Sequence, residues 1–199
     1  MKNLRKFVIV VTSCASCTLS LKDYPQLFQG EPEEVDAQAL QGKIRHISEF
    51  LVEYGYSQQN PQGTSCSRSR TNPRVTYHSS CHLRAAGVSQ APRDLLASLT
   101  NWEFVEISDA DRCAGGAGTY IVKDYETSQK IFQRKKRAIE ESGAQLVATS
   151  CPACLIQLKN GLGEQIQVKY IAEVMRENAT VPQGFAKPYK GFTLRDDRS

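Results

Sequence analysis

The sequence has no long hydrophobic run. The densest one, FVIVV at residues 7–11, is much shorter than the roughly 20 apolar residues that cross a bilayer, and the polar stretch TSCASC follows it at once. It is also too short to be the hydrophobic region of a secretory signal peptide. We therefore expect a cytoplasmic protein without a transmembrane segment, and a peripheral contact with the inner face of the cell membrane is left open.

A strong charge of one sign is also missing. The formal net charge is +4, with acidic and basic residues mixed along the chain, which is too mild to indicate a nucleic-acid partner. The densest basic run, RKKR at residues 134–137, is followed by Glu140 and Glu141. We interpret this run as the solvated face of a helix, with docking to an acidic partner or a membrane surface as the alternative.

A dinucleotide-binding fingerprint is absent as well. GGAG at residues 115–118 follows a predicted strand, but it lacks the G-x-G-x-x-G spacing that such sites need. Any flavin- or nucleotide-dependent substrate chemistry would therefore belong to a partner protein.

Cysteine, by contrast, is plentiful. The chain has seven cysteines, and four of them form two Cys-x-x-Cys pairs, Cys14 with Cys17 and Cys151 with Cys154. Thiols stay reduced in the cytoplasm, so pairs at this spacing indicate metal binding or redox chemistry rather than structural disulfides. Cys66 lies alone in a Ser- and Arg-rich stretch, and we interpret it as a thiol without a role.

Predicted strands and helices alternate along the chain. Short runs of β-branched and apolar residues predict strands at 7–11, 75–78, 104–107 and 145–149, and a strand leading into a helix at 168–177. Apolar residues at helical spacing predict helices at 19–28, 35–54, 93–99 and 125–142. Such alternation is typical of parallel sheets with helical crossovers, so the predicted class is α/β.

The sequence also repeats itself. IVVTSCASCTLSL at residues 9–21 resembles LVATSCPACLIQL at 146–158, and RHISEFL at 45–51 resembles KYIAEVM at 169–175. Self-similarity of this kind indicates duplicated structural units. We therefore expect four segments, with Met1 beginning a fragment or a split subunit. They are the C-terminal part of a first module at 1–55, a linker loop at 56–74, a complete second module at 75–178 and a flexible tail at 179–199.

Four cysteines of the second module are candidate metal ligands. Cys81, Cys113, Cys151 and Cys154 each lie at or within a few residues of the end of a predicted strand. The carboxyl ends of parallel strands share one edge of a sheet, so we expect the four thiols to converge there. Ligation by sulfur alone suits either zinc or an iron–sulfur cluster.

Residues around these thiols are candidates for supporting roles. Gly115 and Gly116 follow Cys113, and without a Cβ they would let the main chain and its N–H groups approach a cluster closely. His78 and His82 flank Cys81 in YHSSCHL. We interpret them as residues that support a ligand or begin a helix, with direct ligation as the alternative.

Residues 75–175 resemble the cysteine-rich CCG-domain family, found in heterodisulfide reductases and in the iron–sulfur subunits of glycolate and lactate oxidases. The matching motifs are VTYHSSCHLRAAGVSQAPRDLL, FVEISDADRCAGGAGTY and VATSCPACLIQL. The likeness is strongest to the glycolate oxidase iron–sulfur subunit. Members normally carry two modules, each with a cysteine, a Cys-Cys-Gly and a Cys-x-x-Cys. This chain has one complete module and the end of a preceding one, which retains only Cys14 and Cys17 as a second, incomplete site.

One departure from the family pattern changes the expected cofactor. The chain reads Cys113-Ala114-Gly115 where the family has Cys-Cys-Gly. Heterodisulfide reductases use five cysteines in a module for a noncubane cluster, and only four remain here. The resemblance then implies a 4Fe-4S cluster, with structural zinc as the alternative.

The resemblance implies an electron-transfer role rather than catalysis by this chain. A flavoprotein dehydrogenase subunit would oxidise glycolate or lactate, and this chain, together with another iron–sulfur subunit, would pass electrons toward quinone or another carrier. Three other interpretations stay open: a structural zinc scaffold, a heterodisulfide-reductase-type catalytic subunit and a degenerate fragment without a function.

Overall fold

The computed structural model describes residues 7–56 and 72–178. Strands and helices alternate through both ranges. The strands are β1 (Val10–Thr12), β2 (Ile44–His46), β3 (Arg74–His78), β4 (Glu103–Phe104), β5 (Leu146–Thr149) and β6 (Gln167–Tyr170). The helices are α1 (Ala15–Lys22), α2 (Tyr24–Leu27), α3 (Glu34–Gln41), α4 (Ile47–Glu53), α5 (Cys81–Ala85), α6 (Ala91–Ala97), α7 (Tyr120–Lys123), α8 (Tyr125–Ser142), α9 (Pro152–Leu162) and α10 (Ile171–Asn178). The predicted linker loop falls mostly on residues 57–71, and the predicted tail on 179–199; both ranges, and Cys66, lie outside the described residues.

The strands of the described residues form two parallel sheets. β1 pairs with β2, and the second sheet has the order β4-β3-β5-β6. In the larger sheet β3 and β5 lie side by side, with His78 opposite Thr149 at their carboxyl ends. Parallel neighbours joined through helices confirm the predicted α/β class.

Both faces of the larger sheet are covered. Along β5, Leu146 and Ala148 belong to one apolar core, which includes Leu95 and Val174 from α6 and α10. Val147 points the other way, into a second core with residues of α8 and α9. A strand buried on both faces explains why LVAT is continuously apolar apart from its last residue.

The predicted helix at residues 35–54 is wrong. The segment contains α3, then the short strand β2, then α4. Ile44 to His46 extend because they pair with Val10 to Thr12 of β1, a contact between residues more than thirty positions apart. Tertiary pairing therefore overrides the local apolar spacing that favoured one continuous helix.

The predicted repeat is confirmed by matching hydrogen bonds. The N–H of His46 donates to Glu49 Oε2, and the N–H of Tyr170 donates to Glu173 Oε2, both at 2.8 Å. Eight residues separate the partners in two further equivalent ion pairs, Arg45 with Glu53 and Lys169 with Glu177. The strand-to-helix corners β2–α4 and β6–α10 are thus built in the same way.

Within residues 7–56 and 72–178, every helix is too short or too polar to cross a membrane.

Candidate metal centre

Two of the candidate ligands follow directly from the central strands. Cys81 is the first residue of α5, three residues after β3 ends, and Cys151 is the N-cap residue of α9, two residues after β5 ends. Because β3 and β5 are parallel neighbours, both cysteines lie at the carboxyl edge of the sheet. Cys154 lies in the first turn of α9. We call the set of Cys81, Cys113, Cys151 and Cys154 the four-thiol edge.

Cys113 reaches the same edge through a loop that two contacts hold in place. The loop follows β4, and the N–H of Ser79, just after β3, donates to the carbonyl oxygen of Ala110 at 3.2 Å. The Lys135 ammonium donates to the carbonyl oxygens of Asp109 and, at 3.3 Å, of Ala110. Asp109 itself has a left-handed backbone, with φ at 62°. Main-chain and side-chain donors thus fix the loop on which Cys113 lies.

Lys135 corrects the interpretation of the basic run. Arg134 and Arg137 are exposed, but Lys135 is only 1% exposed. Burial lowers its pKa to about 8. The negative charges of Asp109, Asp111 and Cys113 act in the opposite direction but are outweighed by burial. RKKR therefore does not form one solvated face, because its second residue is a buried clamp on the Cys113 loop.

Gly115 and Gly116 have a packing role that the sequence did not indicate. Gly115 has φ at +83°, and a Cβ there would overlap the main-chain carbonyl of Ser128 in α8. A Cβ on Gly116 would lie 2.9 Å from the Cβ of Gln157 in α9. The turn therefore needs glycines in order to pack against two helices. The N–H of Gly115 also donates to Cys113 Sγ at 3.2 Å, which is the kind of backbone contact to sulfur expected from the sequence.

The four thiols act on one another electrostatically. A hydrogen bond from the Cys154 thiol lowers the pKa of Cys151 to about 6, so Cys151 ionises before Cys154. The pKa of Cys154 is raised far above its ordinary value by that hydrogen bond, by burial, and by the charges of Cys151, Cys113 and Cys81. Such effects decay with distance, and Cys154 is the thiol on which the charges of the other three act. Among the described residues, however, no three Cys, His, Asp or Glu side chains are already arranged as metal ligands.

The four thiols differ in exposure. Cys151 is buried and Cys154 is half-buried, whereas Cys81 and Cys113 are exposed. The four-thiol edge is therefore open to solvent on one side, and a group bound there could be reached from the surface.

Cys14 and Cys17 occupy the equivalent place in the first repeat. Cys14 follows β1 as the N-cap residue of α1, just as Cys151 follows β5. A hydrogen bond with Cys14 and burial raise the pKa of the exposed Cys17.

The two Cys-x-x-Cys turns lie against each other. The N–H of Ala15 donates to the carbonyl oxygen of Ser150 at 2.8 Å, and Ser16 Oγ is 2.7 Å from His82 Nδ1. Burial raises the pKa of Tyr170 to about 12, and the charges of Cys14 and Cys151 act in the same direction. The pKa of Tyr170, which ends β6, therefore responds to the charges of thiols in both turns.

Comparison with known proteins gives a consistent result. The family model of the cysteine-rich domain, CCG, matches residues 75–159. Lactate utilization protein A of Lysinibacillus sphaericus (strain C3-41) is 33% identical over 171 residues, covering 83% of this chain and 72% of that protein. The chain belongs to the cysteine-rich domain family. Lactate utilization protein A of Geobacillus kaustophilus (strain HTA426) is 37% identical over 172 residues, covering 83% of this chain and 69% of that protein.

A longer relative is matched only in part. The probable glycolate oxidase iron-sulfur subunit of Bacillus subtilis (strain 168) is 34% identical over 177 residues. The aligned region covers 85% of this chain and 38% of that relative. The chain thus spans well under half the length of that member of the cysteine-rich domain family.

The two histidines of the cysteine-rich domain have different surroundings. His78 ends β3 and is 1% exposed. Burial lowers its pKa to about 3, and its Nδ1 has no hydrogen-bond partner among the described residues. His82 is exposed in the first turn of α5 and contacts Ser16 of the other repeat. His82 therefore lies at a helix start, as the sequence suggested, and links the repeats.

Sequence reasoning missed the buried role of Lys135 and the position of Tyr170. A signal for Lys135 existed, because it lies at helical spacing from the apolar residues Phe132 and Ile139 of α8. Tyr170 aligns with His46 in the repeat, so its place at a strand end could have been found by comparing the two copies.

Proposed function

We propose that this chain is an iron–sulfur electron-transfer subunit of a 2-hydroxy-acid oxidation system. The observation that carries the proposal is the position of Cys81 and Cys151 after two neighbouring parallel strands, in a chain with this family membership. Relatives named as a glycolate oxidase iron-sulfur subunit and as lactate utilization proteins support the same assignment. The chain would carry electrons and leave the oxidation of the substrate to a partner.

The four-thiol edge is the proposed ligand set for a 4Fe-4S cluster. Four thiolates are the donor set that such clusters take, and a bound cluster would supply a one-electron redox centre. Cys151, with its lowered pKa, would offer the first thiolate. The N–H of Gly115 would stabilise negative charge on the Cys113 sulfur, and the buried ammonium of Lys135 would add positive charge nearby.

The first repeat is proposed to be the C-terminal part of a preceding module. In this division residues 1–55 belong to that part, 56–74 to a linker and 75–178 to the complete module. Cys14 and Cys17 would supply two ligands of a second cluster, and the remaining ligands would lie outside residues 7–56. The contact between Ala15 and Ser150 would keep the two centres close together.

The proposed electron donor is a flavoprotein dehydrogenase that oxidises lactate or glycolate. Electrons would leave toward another iron–sulfur subunit, a quinone or a further carrier, at the cytoplasmic side of the membrane. The exposed Cys81 and Cys113 support this arrangement, because a partner could approach the cluster from their side. Reduction of the chain's cluster by lactate in the presence of a co-purified flavoprotein would test the pairing.

A structural zinc site is the second candidate. Four thiolates also complete a tetrahedral zinc site, and Ala114 leaves the complete module with four cysteines. Zinc would hold the loop and helix ends together without carrying electrons.

Metal analysis of the full chain, purified under anaerobic conditions, separates the two candidates. About four iron and four sulfide per chain, with an EPR signal on reduction, supports the cluster. Zinc near one equivalent with no iron would overturn electron transfer. Cys81→Ser should lose most of the metal, and Cys17→Ser, outside the four-thiol edge, should retain the metal of the complete module.

A further inference from the structure

A surface pocket beside Cys113 is not explained by the four-thiol edge. Its volume is about 260 Å³. Half of its lining residues are basic. The lining residues are Asp109, Arg112, Cys113, Ile131, Arg134 and Lys135. Metal binding at the edge needs only Cys113 of these six.

The pocket is formed by two elements that are fixed to each other. Ile131, Arg134 and Lys135 are at positions i, i+3 and i+4 of α8, so they share one face of that helix. The opposite wall is the loop that carries Cys113. Lys135 clamps this loop through the carbonyl oxygens of Asp109 and Ala110. The pocket is therefore preformed, and a ligand would not need to order it.

The charges of the pocket do not cancel. Arg112 Nε lies 3.0 Å from Asp109 Oδ1, so these two side chains neutralise each other. The Lys135 ammonium uses two of its three donors on carbonyl oxygens and lines the pocket although its side chain is almost completely buried. Within the described residues, the guanidinium of Arg134 takes part in no ion pair or hydrogen bond. The positive charges of Arg134 and Lys135 thus face the pocket, and the Cys113 sulfur opposes them when it is a thiolate.

We propose that this pocket binds a small organic anion with a carboxylate head group. A guanidinium presents two parallel N–H donors that match the two oxygens of a carboxylate, and the third donor of Lys135 can join them. Ile131 adds an apolar wall, which suits the short carbon chain of an organic acid better than an ion that is polar on all sides.

The size of the pocket limits the ligand. Pockets for drug-sized molecules or nucleotide cofactors measure roughly 300–1,000 Å³, and this one lies below that range. A carboxylate of a few heavy atoms fits, and it would lie next to the Cys113 sulfur. The proposal does not depend on the identity of the metal, because it uses only the side chains of the pocket.

Isothermal titration of the full chain, with its metal content measured beforehand, tests the proposal. The probes are the sodium salts of lactate and acetate. Inorganic phosphate and chloride are the comparison anions. Arg134→Gln removes the uncommitted guanidinium. Arg137→Gln is the matched control, because it makes the same charge change on an exposed residue of the same helix that does not line the pocket.

We expect saturable binding of one carboxylate per chain, weakened about tenfold or more by Arg134→Gln and unchanged by Arg137→Gln. Absence of saturable carboxylate binding overturns the proposal, as does an equal loss in both variants. Tighter binding of phosphate than of lactate overturns the carboxylate assignment. None of these results bears on cluster content, so the electron-transfer proposal stands or falls separately.

Discussion

The main-chain N–H of Ala15 donates a 2.8 Å hydrogen bond to the carbonyl oxygen of Ser150, joining the two Cys-x-x-Cys turns. The bond has no counterpart in the reverse direction. The residue equivalent to Ala15 in the second repeat is Pro152, which has no N–H to donate. This main-chain bond therefore runs only from the first turn to the second, although the two turns have similar sequences.

The first prediction concerns Ala15→Pro. The preceding residue can accept a proline, because Cys14 (φ −108°, ψ 125°) has nearly the backbone of Cys151 (φ −124°, ψ 129°), which precedes Pro152. Loss of the bond leaves a buried carbonyl without its donor, which costs about 1–3 kcal/mol in the free energy of unfolding. The new proline adds back about 0.4–1 kcal/mol of stability, because it reduces the conformational entropy of the unfolded chain. Denaturant unfolding should show a net loss. Pro152→Ala removes no hydrogen bond and should lose only the unfolded-state contribution of about 0.4–1 kcal/mol.

The second prediction concerns the turn after Cys113. Gly115→Ala combines a left-handed φ with an overlap against the Ser128 carbonyl, so we expect a loss of about 3 kcal/mol or more and reduced metal content. Gly118→Ala is the control. Gly118 also has a positive φ, but open space surrounds its missing Cβ, so about 1 kcal/mol should be lost. Equal stability of the two variants, measured by urea unfolding, would refute the packing role of Gly115.

The third prediction concerns the missing cysteine of the family motif. Ala114 is fully buried in a core with Ile107 and Phe132, whereas its neighbour Cys113 is exposed. Ala114→Cys should therefore place a thiol in the core, leaving metal content and spectrum unchanged. Thiol titration of the folded protein should detect no added reactive group, whereas Ala117→Cys, at an exposed position, should add one. A changed EPR signal in Ala114→Cys would mean that the turn can rotate toward the metal.

The fourth prediction concerns acid sensitivity. Burial lowers the pKa of His78 to about 3 and that of His46 to about 4. The unfolded chain binds protons at these residues near pH 6.5 while the folded chain does not, so stability is full above pH 6.5 and falls as the pH drops toward 4. Lowering the pH from 6.5 to 5 should reduce the free energy of unfolding by about 1–2 kcal/mol for each buried histidine.

Urea midpoints at pH 7 and pH 5 measure this slope. His78→Gln should flatten the pH dependence, because it removes one of the two buried histidines. An unchanged pH dependence in His78→Gln would contradict the inference that His78 is buried in its neutral form.

The fold class and the helix α8 could be predicted from the sequence because both depend on local patterns. The bounds of α8, Tyr125–Ser142, agree with the prediction, since a long amphipathic run ends at Gly143 with a left-handed backbone. The strand β2 could not be found in this way. Three residues are too few for a periodic signal, and they extend only because β1 is available for pairing. The repeat carried the missing information, because Lys169 and Tyr170 of the second copy lie in a strand.

The position of the candidate site at a sheet edge was predictable, and its surroundings were less so. Alternation placed the ends of β3 and β5 at one edge, so the proximity of Cys81 and Cys151 followed from topology. The clamp by Lys135 depends on the path of an irregular loop, and no spacing rule describes that path. The glycines were noticed as small residues, but only the packed structure shows that α8 and α9 are what they approach.

The pairing of β3 with β5 would also fix when the proposed centre could be loaded with metal during protein synthesis. His78 and Thr149 are opposite each other in the sheet although 71 positions separate them in the chain. Cys81 leaves the ribosome long before Cys151 and Cys154, and non-local parallel pairing forms slowly. If the four thiols bind a metal as proposed, its delivery to the complete set would therefore be a late step in biogenesis. Until then, the early cysteines would need a reducing environment or a bound carrier to keep them from reacting.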